Sequence, residues 1–402
     1  MPNIVKQPHV TNVLHAVDGY DKALTEQQAL YKNGTDFTEQ KGWVANTVAK
    51  LHPKRIQLIV SEVIHETPST VTLRLISQTQ TLPPFQAGQY INLFVSIAGT
   101  HTARPYAISS QPQIRGHYDL TIKRVADGFV SNHLIDHVQV GDKFESTGPM
   151  GTFYHNPLFH GDDLVFIAGG SGIAPARAMI NDLAENTLVN RRKNQKMHLI
   201  YSSSYESDVI FEQEVRQLEQ QHDFLTVSWI ITRPNDDYQG RTGRLTAETL
   251  MQLLDADTTA LQGKMFYVCG PTAFHDHCQT LLTQLKVKAR RVRIECNGPP
   301  KAPHTHAGWP KNVKPTDIIK VTIQGQGSFD ARVDEPLLNS MERHGYRAEN
   351  ACRSGECSLC RVKVVSGSVF NPAEAKLRST DEAYRWCHSC VAFPTSDIKI
   401  II

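Results

Sequence analysis

Cys352-Arg-Ser-Gly-Glu-Cys357-Ser-Leu-Cys360 is the stretch on which the reading of this chain turns. Four residues and then two separate its cysteines, and Cys390 comes after 29 intervening residues. Of the eight cysteines in the chain, Cys269, Cys278 and Cys296 are scattered, whereas Cys352, Cys357, Cys360, Cys387 and Cys390 crowd the C-terminal block. Residues 1–30 lack the basic start, apolar block and small-residue cleavage site of an export leader. In a large chain of that kind such crowding reads as a metal site before a disulfide framework. Ser354, Gly355 and Ser358 are small, as a loop must be to turn its N–H groups around a negatively charged centre. Arg353 adds positive charge close by. A four-cysteine zinc site is the alternative, but zinc sites usually pair their cysteines as two short knuckles.

The C-x4-C-x2-C…C order is that of plant-type 2Fe–2S ferredoxins. "ACRSGECSLCRVKVVSG" resembles that family's cluster loop and following strand, and "WCHSCVAFPTSDIKI" resembles its last ligand and the segment after it. The match makes Cys352, Cys357, Cys360 and Cys390 the metal ligands. Cys390 is chosen because it stands four positions before Pro394, which leaves Cys387 as an extra, buried cysteine.

Working outward, 402 residues call for two to four domains. A chain that is 40% hydrophobic and 20% charged is ordinary globular material, and a net charge of +2 argues against a nucleic-acid binder. No apolar run approaches the length of a membrane span, so the expected address is the cytoplasm. Residues 1–52 read as a helical extension, with helices near Thr25–Tyr31 and Glu39–Leu51. Trp43, Val44, Val48 and Leu51 give the second an apolar stripe for packing. Residues 53–157 show short strands broken by Gly and Pro (Gln57–Ile64, Val71–Ile76, Tyr90–Val95, Tyr118–Arg124), the texture of a small antiparallel barrel. Over residues 158–297, apolar runs at Leu164–Ala168, Met197–Ser202, Leu225–Ile231 and Met265–Cys269 alternate with helical segments such as Glu212–Gln221. That predicts a doubly wound parallel sheet. Residues 298–316, rich in proline and histidine, read as a solvated linker. The block 317–402 opens with strands near Ile318–Gln324 and Asp330–Val333 and a helix near Pro336–Gly345.

Two halves of the central region carry cofactor motifs. Arg104-Pro105-Tyr106-Ala107-Ile108-Ser109 resembles the flavin-binding strand of the ferredoxin–NADP reductase superfamily, commonly Arg-x-Tyr-Ser. The resemblance implies that Arg104 meets the flavin phosphates and Tyr106 packs on the ring system. Ala107 stands where the family has Ser, so Ser109 or a backbone amide is the candidate for the missing hydroxyl contact. Gly128-Phe-Val130-Ser131-Asn132-His-Leu resembles the family's phosphate-binding turn into a helix. Gly148-Pro149-Met-Gly151-Thr-Phe resembles the turn closing its flavin domain. Together they imply FAD in preference to FMN.

Ala168-Gly169-Gly170-Ser-Gly172-Ile173-Ala-Pro175 follows an apolar strand and precedes a helix, the context in which amides cradle pyrophosphate. Tyr267-Val-Cys269-Gly270-Pro271-Thr resembles the motif that sits beside the nicotinamide, with Cys269 near the hydride-transfer position. At the ribose 2′ group the signals conflict. Ser203, Glu206 and Asp208 follow one strand, while Arg233, which suits a 2′-phosphate, follows the next; the balance leans to NADPH. Five basic side chains within Lys286–Arg293 read as a solvated sheet edge, with docking of an acidic partner as the alternative.

Flavin barrel, nicotinamide domain and C-terminal β-grasp ferredoxin domain, in that order, resemble the reductase components of oxygenase systems. "LTIKRVADGFVSNHLI" looks closest to those serving membrane fatty-acyl desaturases. The expected activity is electron transfer from NAD(P)H through FAD and a 2Fe–2S cluster to a partner oxygenase or desaturase. Cys269, Tyr106 and Ser109 are the catalytic candidates. A redox sensor and a self-contained small-molecule reductase are the rival readings.

Overall fold

The computed structural model describes residues 19–32, 46–48, 53, 55–78, 81–188, 194–296, 298–372 and 375–402. The chain forms two units, Met1–His52 and Pro53–Ile402. In the first, a helix runs over Tyr20–Lys32, starting earlier than expected. Residues 46–48 are helical, and the rest of the expected Glu39–Leu51 helix lies outside the described residues.

In the second unit, β1 (Ile56–Thr67), β2 (Thr70–Ile76), β3 (Tyr90–Ile97), β4 (Thr100–Ala107), β5 (Tyr118–Lys123) and β6 (Lys143–Ser146) pair antiparallel in the order β4-β3-β6-β1-β2-β5. A bridge between Ile108 and Leu120, beside a 2.8 Å bond from the Ser109 N–H to the Asp119 carbonyl, joins the two edges at one end. The sheet thus curls into the expected barrel. Alternation sends Leu58, Leu73, Ile91 and Leu120 inward, every one fully buried. Helix α1 (Phe129–His137) plugs the barrel with Val130 and Leu134.

The next sheet is parallel throughout: β7 (Asp163–Gly169), β8 (Lys196–Ser203), β9 (Leu225–Ile231), β10 (Arg241–Thr242), β11 (Met265–Gly270) and β12 (Val292–Cys296), ordered β10-β9-β8-β7-β11-β12. A parallel sheet is covered on both faces and its strands are apolar on both. Leu164 and Phe166 of β7 enter one core with Ile180 of α2 (Ile173–Leu188), while Val165 and Ile167 enter the other with Leu281 of α5 (Thr272–Gln284). Val215 of α3 (Glu212–Gln221) joins the first core and Leu250 of α4 (Ala247–Leu254) the second. Removing Phe166 to Ala would cost about 3–5 kcal/mol by cavity formation. The basic run leads into the edge strand β12, in line with the sheet-edge reading. Its Arg291 donates to the carbonyl of His160 at 3.1 Å. The buried His160 ring takes the Asn156 N–H on Nδ1 at 3.0 Å and stands 2.7 Å from the Tyr267 hydroxyl. Burial, then Arg293, His155 and Arg291, push its pKa down to about 4.

The last sheet is mixed, in the order β14-β13-β19-β15-β17, from β13 (Ile318–Ile323), β14 (Gly327–Arg332), β15 (Arg361–Ser366), β17 (Trp386–His388) and β19 (Ile398–Ile401). A small pair, β16 (Val369–Phe370) and β18 (Phe393–Pro394), stands beside it. Helix α6 (Leu337–Arg343) lies across it, burying Leu338 and Met341 against Val321, Val362 and Ile400. This is the expected β-grasp. The proline-rich segment before it is mostly exposed or half-exposed, with one anchored side chain. Trp309 packs edge-on to Phe370 at 5.3 Å, and its Nε1 donates to the Val313 carbonyl at 2.9 Å. Trp309 thus fixes this point of the segment on the small β16–β18 pair. Among the described residues no helix is long and apolar enough to cross a membrane.

Candidate functional site

One continuous cleft of about 1870 Å3 runs past all three sheets. From the barrel it takes Arg104, Pro105, Tyr106 and Ala107 on β4, Thr121 and Lys123 on β5, Gly128, Val130 and Ser131 at the start of α1, and Gly151. From the parallel sheet it takes Ser171, Pro175, Cys269 and Glu295, and from the last Cys352, Cys357 and Cys390. Residues far apart in sequence thus face one space.

On the barrel side, Arg104 Nη1 donates to Thr102 Oγ1 and to the Ala103 carbonyl, both at 2.7 Å. Burial first, and then the neighbouring Arg353 charge, lower its pKa to about 10. A half-buried guanidinium beside a second positive charge is poised for an anion. Burial also pushes the Tyr106 phenol upward, so it stays neutral. No side chain caps α1 at Gly128 and no acid occupies its first turn, so its terminal amides and dipole suit a phosphate. A Cβ on Gly128 would come 2.3 Å from Ser131 Oγ, and one on Gly151, at φ +107°, would come 2.9 Å from the Tyr90 ring. Gly148 and Pro149 close the barrel behind this space; a Cβ on Gly148 would press on the Pro53 carbonyl at 2.9 Å.

Ser109 corrects the expectation. It is fully buried beyond the end of β4, with its hydroxyl 2.9 Å from Thr121 Oγ1 and 3.1 Å from the Asp119 carbonyl. Thr121 on β5 lines the cleft, but its hydroxyl is shared between Ser109 and Thr72 Oγ1, the latter at 3.0 Å. Ile108 is core, and Asn132 stands one turn inside α1, its N–H bonded to the Gly128 carbonyl.

In the parallel sheet the strand order reverses between β7 and β11, and ligands bind outside the carboxyl ends of strands at such a switch point. Gly169–Gly172 and Cys269–Gly270 meet there. A Cβ on Gly172 would lie 2.0 Å from the Cys269 carbonyl oxygen, so only glycine allows the two strand ends to touch. Gly169 and Gly270 likewise make room for the Phe274 ring, and Gly170 accepts a 3.0 Å bond from the Tyr201 hydroxyl. Ile173 is buried behind them, while Pro271 precedes α5. Beside Cys269, on β12, stands Glu295, which sequence reasoning missed. Burial, then Glu356 and Cys352, raise its pKa to about 8.

The ribose-end candidates divide. Ser203 is buried and donates to the carbonyls of Tyr205 and Asp208 at 3.2 and 3.1 Å, a structural role. Asp208 accepts from Thr67 at 2.8 Å, from Ser69 at 2.5 Å and from Lys123, which ties this sheet to the barrel. Burial would raise its carboxyl, but those hydrogen bonds outweigh it and hold the pKa low. Glu206 is engaged by the Asn235 N–H at 3.0 Å. Arg233 is exposed, 3.3 Å from the Tyr205 hydroxyl.

The four C-terminal cysteines stand as two pairs. Cys360 and Cys390 have sulfurs 3.2 Å apart, and the Cys352 sulfur accepts from the amides of Cys357 at 3.3 Å and Ser354 at 3.5 Å. Among the described residues no three ligating side chains converge on one ion. Two pairs are what a 2Fe–2S cluster asks for, two thiolates to each iron; a single zinc would ask for one nest of four. Amides aimed at sulfur suit the cluster as well. Arg353 and Ser358 hold left-handed backbone, at φ +53° and +59°, and wrap the loop. His388 Nδ1 bonds the Gly355 carbonyl at 2.7 Å, pinning it. Cys387 is buried and burial pushes its thiol up to about 12, in keeping with an extra cysteine outside the ligand set.

Comparison with known proteins finds three matching domains in this order. Residues 55–155 match the oxidoreductase FAD-binding domain, 166–280 the oxidoreductase NAD-binding domain and 321–395 the 2Fe-2S iron-sulfur cluster binding domain. The chain is 26% identical over 351 residues to the glycine betaine monooxygenase reductase subunit of Pseudomonas aeruginosa, covering 84% of this chain and 93% of that protein. It is 27% identical over 358 residues to the ferredoxin reductase component of 3-ketosteroid-9-alpha-monooxygenase from Mycobacterium tuberculosis, covering 85% and 94%. Among solved structures, phthalate dioxygenase reductase aligns with a TM-score of 0.62 at 20% identity, covering 86% of this chain and 97% of that one.

Proposed function

Because this chain is a ferredoxin-reductase-type flavoprotein with a C-terminal 2Fe–2S ferredoxin domain, we propose that it is the reductase component of an oxygenase system. The observation that carries the reading is the shared cleft, in which the flavin strand, Cys269 and three of the four cluster cysteines face one another. Bound FAD supplies the conversion between a two-electron hydride donor and a one-electron acceptor.

The chain's own residues position that conversion. Arg104 and the amides opening α1 hold the flavin phosphates, and Tyr106 packs on the ring system. The turn Gly169–Pro175 holds the nicotinamide nucleotide, and Cys269 orients its ring across the cleft. Cys352, Cys357, Cys360 and Cys390 would hold the 2Fe–2S cluster, which would supply the one-electron outlet. Arg233 favours NADPH, since Asp208 is committed to the barrel. The relatives named above support an oxygenase acceptor. A membrane fatty-acyl desaturase is the finer reading carried by "LTIKRVADGFVSNHLI", and a cytoplasmic address fits either. We place the functional domains at 53–157, 158–297 and 317–402.

Anaerobic titration tests this. The purified protein is expected to show flavin and iron–sulfur absorption that bleaches on adding NADPH or NADH, with cytochrome c reduced in turn. Protein that takes up neither iron nor flavin on reconstitution would end the proposal.

A further inference from the structure

The Thr102 hydroxyl, on the strand that carries Arg104, has all of its hydrogen-bonding capacity engaged. It donates to Glu342 Oε2 at 2.8 Å and accepts from Arg104 Nη1 at 2.7 Å and Arg353 Nη2 at 3.2 Å. Glu342 lies on α6 of the ferredoxin domain and pairs with Arg353 of the cluster loop; both side chains are 7% exposed. Arg353 also donates to Asn339 Oδ1 at 3.2 Å and Asn350 Oδ1 at 3.3 Å. A second tie lies alongside, from Asn92 Nδ2 on β3 to the Asn350 carbonyl at 2.9 Å.

Two features single this knot out. Arg353 holds left-handed backbone next to a cluster cysteine, where a residue with a Cβ is strained. What the site retains is therefore its side chain. The knot also joins two guanidinium groups to a single carboxylate, an excess of one positive charge, with Glu342 and Arg353 buried and Arg104 half-buried at the cleft. A phosphate-bearing ligand on Arg104 cancels that excess from the flavin side, and with it the repulsion that Arg353 meets on docking.

We propose that FAD binding and docking of the ferredoxin domain are coupled through Thr102, with Arg353 as the positioning residue that brings the cluster loop to the flavin strand. This rests on the flavin-to-cluster reading above and adds a linkage to it. By reciprocity, whatever FAD does for docking, docking does for FAD affinity.

Hydrogen exchange on the full chain, cluster intact, tests the coupling. Amides of residues 337–354 are expected to exchange about tenfold faster in FAD-stripped than in FAD-loaded protein. In Thr102→Val that response to FAD should shrink below about twofold, and Thr102→Ser, which keeps the hydroxyl, should restore it. Arg353→Lys retains charge but not the branched set of bonds. It should slow flavin-to-cluster electron transfer in stopped flow while the reduced-cluster electron paramagnetic resonance spectrum stays unchanged. Equal exchange with and without FAD in the wild type overturns the coupling, as does a full response in Thr102→Val, which would mean that flavin acts by direct contact. Failure to load flavin or cluster, seen in the visible spectrum, would instead sink the underlying function.

Discussion

The flavin barrel meets its two neighbours in different ways. Toward the nicotinamide domain it uses half-buried charges. Lys123 pairs with Asp208, side chains 21% and 14% exposed, and Arg177, 18% exposed, reaches the buried Asp119 at 3.4 Å. Toward the ferredoxin domain it uses the desolvated knot of Thr102, Glu342 and Arg353. Charges near water contribute little each and are screened by salt, whereas removing one partner of a buried pair leaves an uncompensated charge. The nicotinamide side is therefore built to tolerate adjustment and the cluster side to hold one geometry. Hydride transfer is set by local stacking, while transfer to the cluster depends on how two whole domains sit.

The largest effects should separate the two halves outright. Cys357→Ser is expected to abolish cytochrome c reduction to background while NAD(P)H-to-ferricyanide turnover persists. Gly172→Ala forces a Cβ into the Cys269 carbonyl and should depress both turnovers by orders of magnitude. Steady-state assays with the two acceptors decide this, and survival of cytochrome c reduction in Cys357→Ser would break the electron path. Next, Glu342→Gln strands Arg353 and should cost about 3–5 kcal/mol, read as a drop in the melting temperature of the ferredoxin domain.

His160, at the base of the nicotinamide domain, gives a pH signature. Above its ordinary pKa of 6.5 it is neutral folded or unfolded, and its contribution is complete. As the pH falls from 6.5 toward the folded value of about 4, the unfolded chain takes up a proton that the buried ring refuses. Stability should fall over that window by up to about 3 kcal/mol. Melting curves of His160→Gln should lack that acid slope; an unchanged slope would place the effect elsewhere. The smallest effect belongs to the adjustable interface. Asp208→Asn should cost about 1 kcal/mol at low ionic strength and progressively less toward roughly 0.5 M salt, and a loss indifferent to salt would erase the contrast between the two faces.

Much of this is legible in sequence, for identifiable reasons. The cluster ligands are readable because their spacing lies within one loop, and β7, β9 and α3 because each has an unbroken period of its own. Strand β4 does not announce itself as a strand, since Pro105 and Arg104 dilute its alternation, and β6 is only four residues long. Ser109 passes for a cleft residue in a sequence reading because neighbours along a strand are visible there, and the strand lying across, which claims its hydroxyl, is not. Glu295 and Thr102 leave no local signal at all. Their roles arise only where separate elements meet, and Asp208 passes for a ribose ligand because the partners that claim it sit on the barrel.

The anchoring of Trp309 on Phe370 limits how far the ferredoxin domain can stray. The stretch between the parallel sheet and Trp309 is about a dozen residues, which even fully extended span no more than ~40 Å. A module released from the barrel on such a leash stays at an effective concentration in the millimolar range. Re-docking is then faster than any encounter with a free competitor, so an outside acceptor must collect its electron from a carrier that never leaves home.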